Sequence, residues 1–379
     1  MSERWRRVAG AVAAAGVALL AGCRAAPAQT TSTWRSVDTD HGTRLEILAR
    51  GEVDFTDDDR DVARISSDGR LTIEEAVRGR PERRVEFRPD ERGGVRRLYF
   101  EDGVQRAPDA DDRAWIERMI LQAVRSSGVG AERRVARIRA RQGVDGVLRE
   151  IEQIEGDGGK RHYYVTLLRS SPALRDDETV RVFRHLAREI DSDGEKRYTL
   201  AQALERTRLG PAEVAALLDA AGTIGSDGEK RYVLAQVLER ASPGPAELAA
   251  LLGVAATIRS DGERAYVLAR VARDNPLADA RVRQAFFRAA GGISSDGELA
   301  RVLVTVLRRE GARDDVVAAA IRASEEISSD GERARVLVSV PQRSLRSEGV
   351  RAAFERAMDG IGSDGERARV ARWLATVAT

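Results

Sequence analysis

The chain is poor in the side chains that carry most catalysis. It has one cysteine, Cys23, three histidines, His41, His162 and His185, and three lysines, Lys160, Lys196 and Lys230. A single thiol excludes an intramolecular disulfide. There is no His-Glu-x-x-His pair and no phosphate-binding glycine-rich loop, because the glycines sit at turns and helix starts. So few parts for nucleophilic or metal chemistry point away from an enzyme, and no cofactor or metal is expected. The net charge of +2 makes no demand for nucleic acid. Arg and Glu alternate instead, as on a solvated, ion-paired surface.

What the chain does have is a repeat. Ser-Asp-Gly-Glu recurs two residues after an isoleucine, and its Asp residues (Asp193, Asp227, Asp261, Asp296, Asp330, Asp364) lie 34 or 35 residues apart. A period of that size marks a two-helix unit stacked into a solenoid. Ser followed three residues later by Glu is a capping box, in which the Ser hydroxyl accepts from the Glu N–H and the Glu carboxylate reaches back to the Ser N–H. Helix starts are therefore expected at Ser192/Glu195, Ser226/Glu229, Ser260/Glu263, Ser295/Glu298, Ser329/Glu332 and Ser363/Glu366. Asp191, Asp193 and Gly194 imitate the middle of a calcium loop, but the position of its bidentate acid is Leu200. Gly156-Asp157-Gly158-Gly159, 36 residues before Asp193, reads as a degenerate first copy that has lost both halves of the box.

Within one copy, Pro211 opens a first helix with Val214, Leu217, Leu218, Ala221 and Ile224 on one face. Ser226 caps a second helix carrying Val233, Leu234, Val237 and Leu238. The cation three residues after each Asp but Asp296, where Leu299 stands instead (Lys196, Lys230, Arg264, Arg333, Arg367), falls on the core side and is expected to reach a neighbouring repeat's Asp. The residue five after each Asp points outward. Down the stack it reads Tyr198, Tyr232, Tyr266, Arg301, Arg335, Arg369, with His162 in the degenerate copy and Gln202, Gln236, Arg270, Arg273, Arg308 and Trp373 around it. Tyr and Arg are the side chains most often found at binding hot spots, so this column is the candidate ligand-binding strip.

Ahead of the repeats the period changes to two. Leu45, Ile47 and Ala49; Val53 and Phe55; Leu71 and Ile73; Val85 and Phe87; and Leu98-Tyr99-Phe100 are split by turn residues, predicting a small antiparallel sheet over 43–107. Its apolar face needs a cover, and Trp115, Ile116, Met119, Ile120, Ala123 and Val124 form a helical stripe suited to it. Linking helices are expected across 108–155 and the solenoid over 156–379.

Residues 1–22 read as an export leader, with Arg4, Arg6 and Arg7 followed by an apolar run from Val8 to Leu20 that is too short to span a bilayer comfortably. The ending Leu20-Ala21-Gly22-Cys23 resembles the bacterial lipobox. That resemblance implies cleavage before Cys23, diacylglycerol on its thiol and, with Arg24 next, an outer-membrane destination facing the periplasm. Residues 23–42 are expected to be a flexible tether.

The recurrent Ile-x-Ser-Asp-x-Glu-Lys/Arg with a following Val-Leu, over about residues 128–379, resembles the HEAT-like family of α-α superhelices. It is also similar to helical repeats of bacterial envelope proteins, including regions C-terminal to membrane zinc-peptidase sensors. The implied fold is α+β: a small antiparallel sheet followed by a right-handed solenoid of about seven two-helix repeats. Lacking the zinc motif and spanning helices, the chain carries over no hydrolytic activity. The expected function is a non-enzymatic envelope lipoprotein that binds an unidentified protein or peptide. The alternatives are a structural envelope component, or a regulatory or sensor subunit of a membrane peptidase or signalling protein.

Overall fold

A computed structural model describes residues 33–40, 43–206 and 209–376. The leader, Cys23 and His41 lie outside the described residues. Eight strands come first: β1 (Thr33–Asp40), β2 (Thr43–Arg50), β3 (Val53–Phe55), β4 (Val62–Ile65), β5 (Arg70–Val77), β6 (Arg83–Pro89), β7 (Val95–Glu101) and β8 (Val104–Arg106). Six form one antiparallel sheet in the order β1-β2-β5-β6-β7-β8, and β3 pairs with β4 separately. The expected tether at 23–42 is corrected here: residues 33–40 pair along the whole of β2. An edge strand is held by backbone hydrogen bonds on one side alone, so it needs no apolar alternation to announce it.

Register explains the sheet's core. Ile47 lies opposite Ile73, Ile73 opposite Val85, and Val85 opposite Tyr99; Ala49, Leu71 and Phe87 form the next row. All seven are buried. The cover is α1 (Ala110–Ser127), started by an Asp109/Asp112 capping box and stopped by Gly128 at φ 72°. It buries Trp115, Met119, Ile120, Ala123 and Val124 against the sheet, each large side chain worth about 1.5–3 kcal/mol. The polar tips are satisfied: Trp115 Nε1 donates to Glu75 Oε2 at 2.7 Å and the Tyr99 hydroxyl to Asp112 Oδ1 at 2.8 Å.

The remaining helices are α2 (Ala131–Glu152), α3 (Asp157–Leu168), α4 (Asp176–Glu189), α5 (Asp193–Arg206), α6 (Pro211–Gly222), α7 (Asp227–Arg240), α8 (Pro245–Ala255), α9 (Asp261–Asp274), α10 (Ala280–Ala290), α11 (Asp296–Leu307), α12 (Asp314–Ala323), α13 (Asp330–Leu337), α14 (Glu348–Asp359) and α15 (Asp364–Ala375). Helix α2 is two helical stretches that meet at a kink at Gly143, whose φ is 68°. From α2/α3 onward the helices alternate as first and second members of seven pairs. First helices stack on first helices from α4 to α14, and second helices on second helices from α3 to α15. One apolar interior runs through them from Ala131 to Val370. In α6 and α7, Val214, Leu217, Leu218, Ala221, Val233, Leu234 and Val237 are all buried, so Leu217→Ala would cost about 2–5 kcal/mol. No helix among the described residues is long and apolar enough to cross a membrane.

The sheet is fastened to the stack by charge. Arg133, Arg134, Arg137 and Arg141 fall along one side of α2 and meet Asp54, Asp57 and Asp59 of the β3–β4 hairpin. Arg134 is buried and also reaches Glu150 at 2.7 Å and the Tyr163 hydroxyl at 3.0 Å. Helix α1 packs on α3 as well as on the sheet, so it heads the column of second helices.

Candidate functional site

Each second helix begins where the capping motif places it. The Glu N–H donates to the Ser Oγ at 3.4–3.5 Å in all six copies, from Ser192/Glu195 to Ser363/Glu366. The other half of the box differs from expectation. The Ser N–H donates to the Asp of the preceding repeat at 2.7–2.8 Å, from Ser192 to Asp157 through Ser363 to Asp330. The residue before each Ser donates to the same carboxylate at 2.9–3.1 Å. Each Asp from Asp157 to Asp330 therefore closes a two-donor clamp on the next hairpin. The groups it satisfies are backbone N–H donors at a helix start, which otherwise have no partner in the helix. Burial works against ionisation of Asp227, but the Ser260 and Arg259 N–H groups outweigh it and hold the carboxyl below its ordinary value.

The predicted Asp-to-cation ladder is corrected by the same geometry. Lys160, Arg264, Arg333 and Arg367, each three residues after its Asp, turn to carbonyl oxygens where the first helix of a hairpin ends. Arg264 donates to Ile258 O, and Arg367 to Ile361 O at 2.5 Å. Arg333 bridges Ile327 O and, in the next repeat, Gly360 O. Lys160 reaches Glu189 O at 2.8 Å and Lys230 reaches Thr257 Oγ1 at 3.0 Å, both in the following repeat. Carbonyls at a helix C-terminus carry partial negative charge, so they compete well for a cation whose stem lies on the core side.

The outward column is brought together as expected. Tyr198, Tyr232 and Tyr266 are 39%, 36% and 41% exposed, and Arg301, Arg335 and Arg369 continue the line on α11, α13 and α15. Its two ends are built differently. Arg161 lies over the Tyr198 ring, Arg197 over Tyr232 and Arg231 over Tyr266, each guanidinium carbon 4.9 Å from the centroid. The same three arginines pair with the Glu two residues after the next Asp: Arg161 with Glu195 at 3.0 Å, Arg197 with Glu229 at 2.5 Å, and Arg231 with Glu263. Beyond Tyr266 the position four after Asp is Ala265, Ala300 or Ala334, all fully buried. There Arg301, Arg335 and Arg369 pair within their own helices with Glu298, Glu332 and Glu366. Sequence reasoning missed this second column, although its signal was present. Tyr occupies the strip only where the preceding repeat supplies Arg, and Arg only where it supplies Ala.

The flanking residues divide. Arg270 pairs with Glu239 at 3.7 Å, and Gln236 accepts from Arg240 at 2.7 Å. Trp373 stacks on Phe354 at 5.8 Å and serves the core. His162, at the head of the column, is tucked against Gly128, where a Cβ would come within 2.6 Å of the imidazole. Burial, with the nearby Arg161 charge as the lesser cause, lowers its pKa to about 4, so it is neutral near pH 7. It lines a cavity of about 440 Å³ between the β2–β3 turn and the α1–α2 turn.

Glu152, His185 and Glu189 form the one group of His and acids close enough to share a metal among the described residues. Both imidazole nitrogens are already engaged, Nδ1 with the Tyr164 hydroxyl at 2.6 Å and Nε2 with Glu152 at 3.0 Å, while Glu189 faces Lys160. The arrangement is a closed polar network around a buried tyrosine rather than an open set of ligands. No protein-family model, curated protein or solved structure matches this chain.

Proposed function

We propose that the protein is a non-enzymatic, lipid-anchored scaffold of the bacterial envelope, tethered through acyl groups on Cys23, that captures a polypeptide partner on the outer face of its second helices. The observation that carries the reading is the strip itself: three exposed tyrosines and three exposed arginines in one register on the second helices of consecutive repeats. Among the described residues the surface elsewhere offers no comparable aromatic row. A solenoid suits the task because each repeat contacts only its neighbours and the surface extends by simple addition. The resemblance to envelope repeats and the leader ending at Cys23 support the location. The fasteners within each junction support a rigid surface that loses little entropy on binding.

The test is capture of partners from envelope extracts by the acylated protein. The double variant Tyr232→Ala/Arg335→Ala is expected to lose a partner that the wild type retains, while Arg281→Ala on a first helix keeps it. Equal capture by all three proteins would overturn the assignment to the strip. Cys23→Ser should release the protein from the membrane fraction, and continued membrane association would overturn the anchor.

A further inference from the structure

We infer that the C-terminal half of the strip is a docking site for an extended, acidic polypeptide segment; this rests on the scaffold reading and specifies the partner's chemistry. Helices α9, α11 and α13 frame an open depression of about 610 Å³ lined by Arg273, Arg301, Arg308, Arg309 and Arg335, with Glu310 the one acid in its wall. Its floor includes Val304, and the Thr305 hydroxyl is turned back onto Arg301 O at 2.8 Å. Five guanidinium groups around one hollow repel one another unless an anion lies among them.

What each cation does here sets the hollow apart from the first half of the strip. Arg309 is used internally, donating to the Arg273 carbonyl at the end of α9. Arg301 and Arg335 each have one glutamate three residues back on their own exposed helix surface, a weak contact in water. Arg273 and Arg308 are exposed and make no ion pair or side-chain hydrogen bond among the described residues. In the first half, Arg161, Arg197 and Arg231 are covered by Tyr and Glu of the next repeat. Around the hollow, Arg273 and Arg308 keep their charge uncommitted among the described residues.

Shape selects the occupant. Neighbouring helices pack about 8–10 Å apart, so Arg301, Arg335 and Arg369 repeat at roughly that interval. An extended chain in the polyproline II conformation rises about 3.1 Å per residue with three residues per turn, which places every third side chain on one face at roughly the same interval. Glu298, Glu332 and Glu366 alternate with these arginines. A uniformly charged phosphate backbone would meet an acid at every step, whereas a peptide with spaced carboxylates can set neutral residues against them. Arg suits this role because its planar fork holds a carboxylate through two hydrogen bonds.

The experiment is fluorescence anisotropy on the full-length protein with a labelled peptide of about twelve residues bearing Glu at every third position. The same peptide with Gln, oligothymidine of equal length and inorganic pyrophosphate complete the set. The Glu peptide should bind with an affinity that falls as salt rises, and the Gln peptide should not bind. Arg273→Gln/Arg308→Gln should weaken the Glu peptide by about tenfold or more, while Arg197→Gln changes it less than about twofold. Because the Arg273 and Arg308 side chains make no ion pair or hydrogen bond among the described residues, the double variant should keep the wild-type circular dichroism and melting temperature. Equal binding of the Glu and Gln peptides, full affinity in the double variant, or tighter binding of oligothymidine or pyrophosphate would each overturn the assignment. Should the Glu peptide fail while partner capture still depends on Tyr232 and Arg335, the acidic partner is refuted and the scaffold stands.

Discussion

The two halves of the second-helix surface share one backbone plan and differ in how they use arginine. In the first half, Arg161, Arg197 and Arg231 cross each junction to cover a tyrosine and neutralise a glutamate of the next repeat. In the second, Ala265, Ala300 and Ala334 stand at the corresponding places, and the strip arginines turn to their own helices. The difference separates what holds the stack together from what decorates it. The Asp clamp spans all six junctions from Asp157 to Asp330 regardless of which side chains face outward. The Arg–Tyr–Glu contact is an addition found in one half alone.

The largest expected effect tests what the halves have in common. Asp193→Ala and Asp296→Ala, one from each half, should each lower the unfolding free energy in urea by about 1–3 kcal/mol, since each leaves two backbone donors without their charged acceptor. Asp364→Ala should leave the urea midpoint close to that of the wild type, because that carboxylate is fully exposed and, among the described residues, meets only Arg367 at 3.8 Å. A uniform cost across all three would remove the clamp.

Next is the feature that divides the halves. Arg197→Ala should cost about 1 kcal/mol, combining a cation–π contact with a partly exposed ion pair between repeats. Arg335→Ala should cost about 0.2–0.5 kcal/mol. Transplanting the contact is the sharper form: Ala265→Arg and Arg301→Tyr should be destabilising singly and show a favourable coupling of about 0.5–1 kcal/mol when combined, read from a double-mutant cycle.

Acid should weaken the junction that Asp227 closes. The Asp227 carboxyl is held below its ordinary value, so its contribution is present in full above about pH 4 and is lost as pH falls through the folded-state value. A melting temperature that declines from pH 4 toward pH 2, with a shallower decline in Asp227→Asn, is the expected record. The smallest effect comes from the glycine of the tetrapeptide. A Cβ at Gly228, Gly262 or Gly297 would meet open space, and none of the three has a positive φ. Alanine there should stabilise by up to about 0.5–1 kcal/mol in either half. Nothing within the fold explains why glycine recurs.

Local patterns made much of this legible. The capping serines, the Val-Leu faces and the Trp115 stripe are short-range signals, and helices begin and bury where those signals stand. What escaped were contacts between units. The Ser N–H was assigned to a Glu three residues away when an Asp of the previous repeat reaches it, because single-repeat reasoning sees only one helix. Strand β1 escaped because an edge strand is recruited by β2 rather than by its own alternation. The Arg–Tyr column was readable only by comparing position four of one repeat with position five of the next.

The clamp is tested most directly by amide hydrogen exchange at Gly225 and Ser226 in wild type and in Asp193→Ala. Loss of protection at those two amides, with the equivalent pair Arg259 and Ser260 still protected by Asp227, is the predicted result. Unchanged protection at Gly225 and Ser226 would contradict the account.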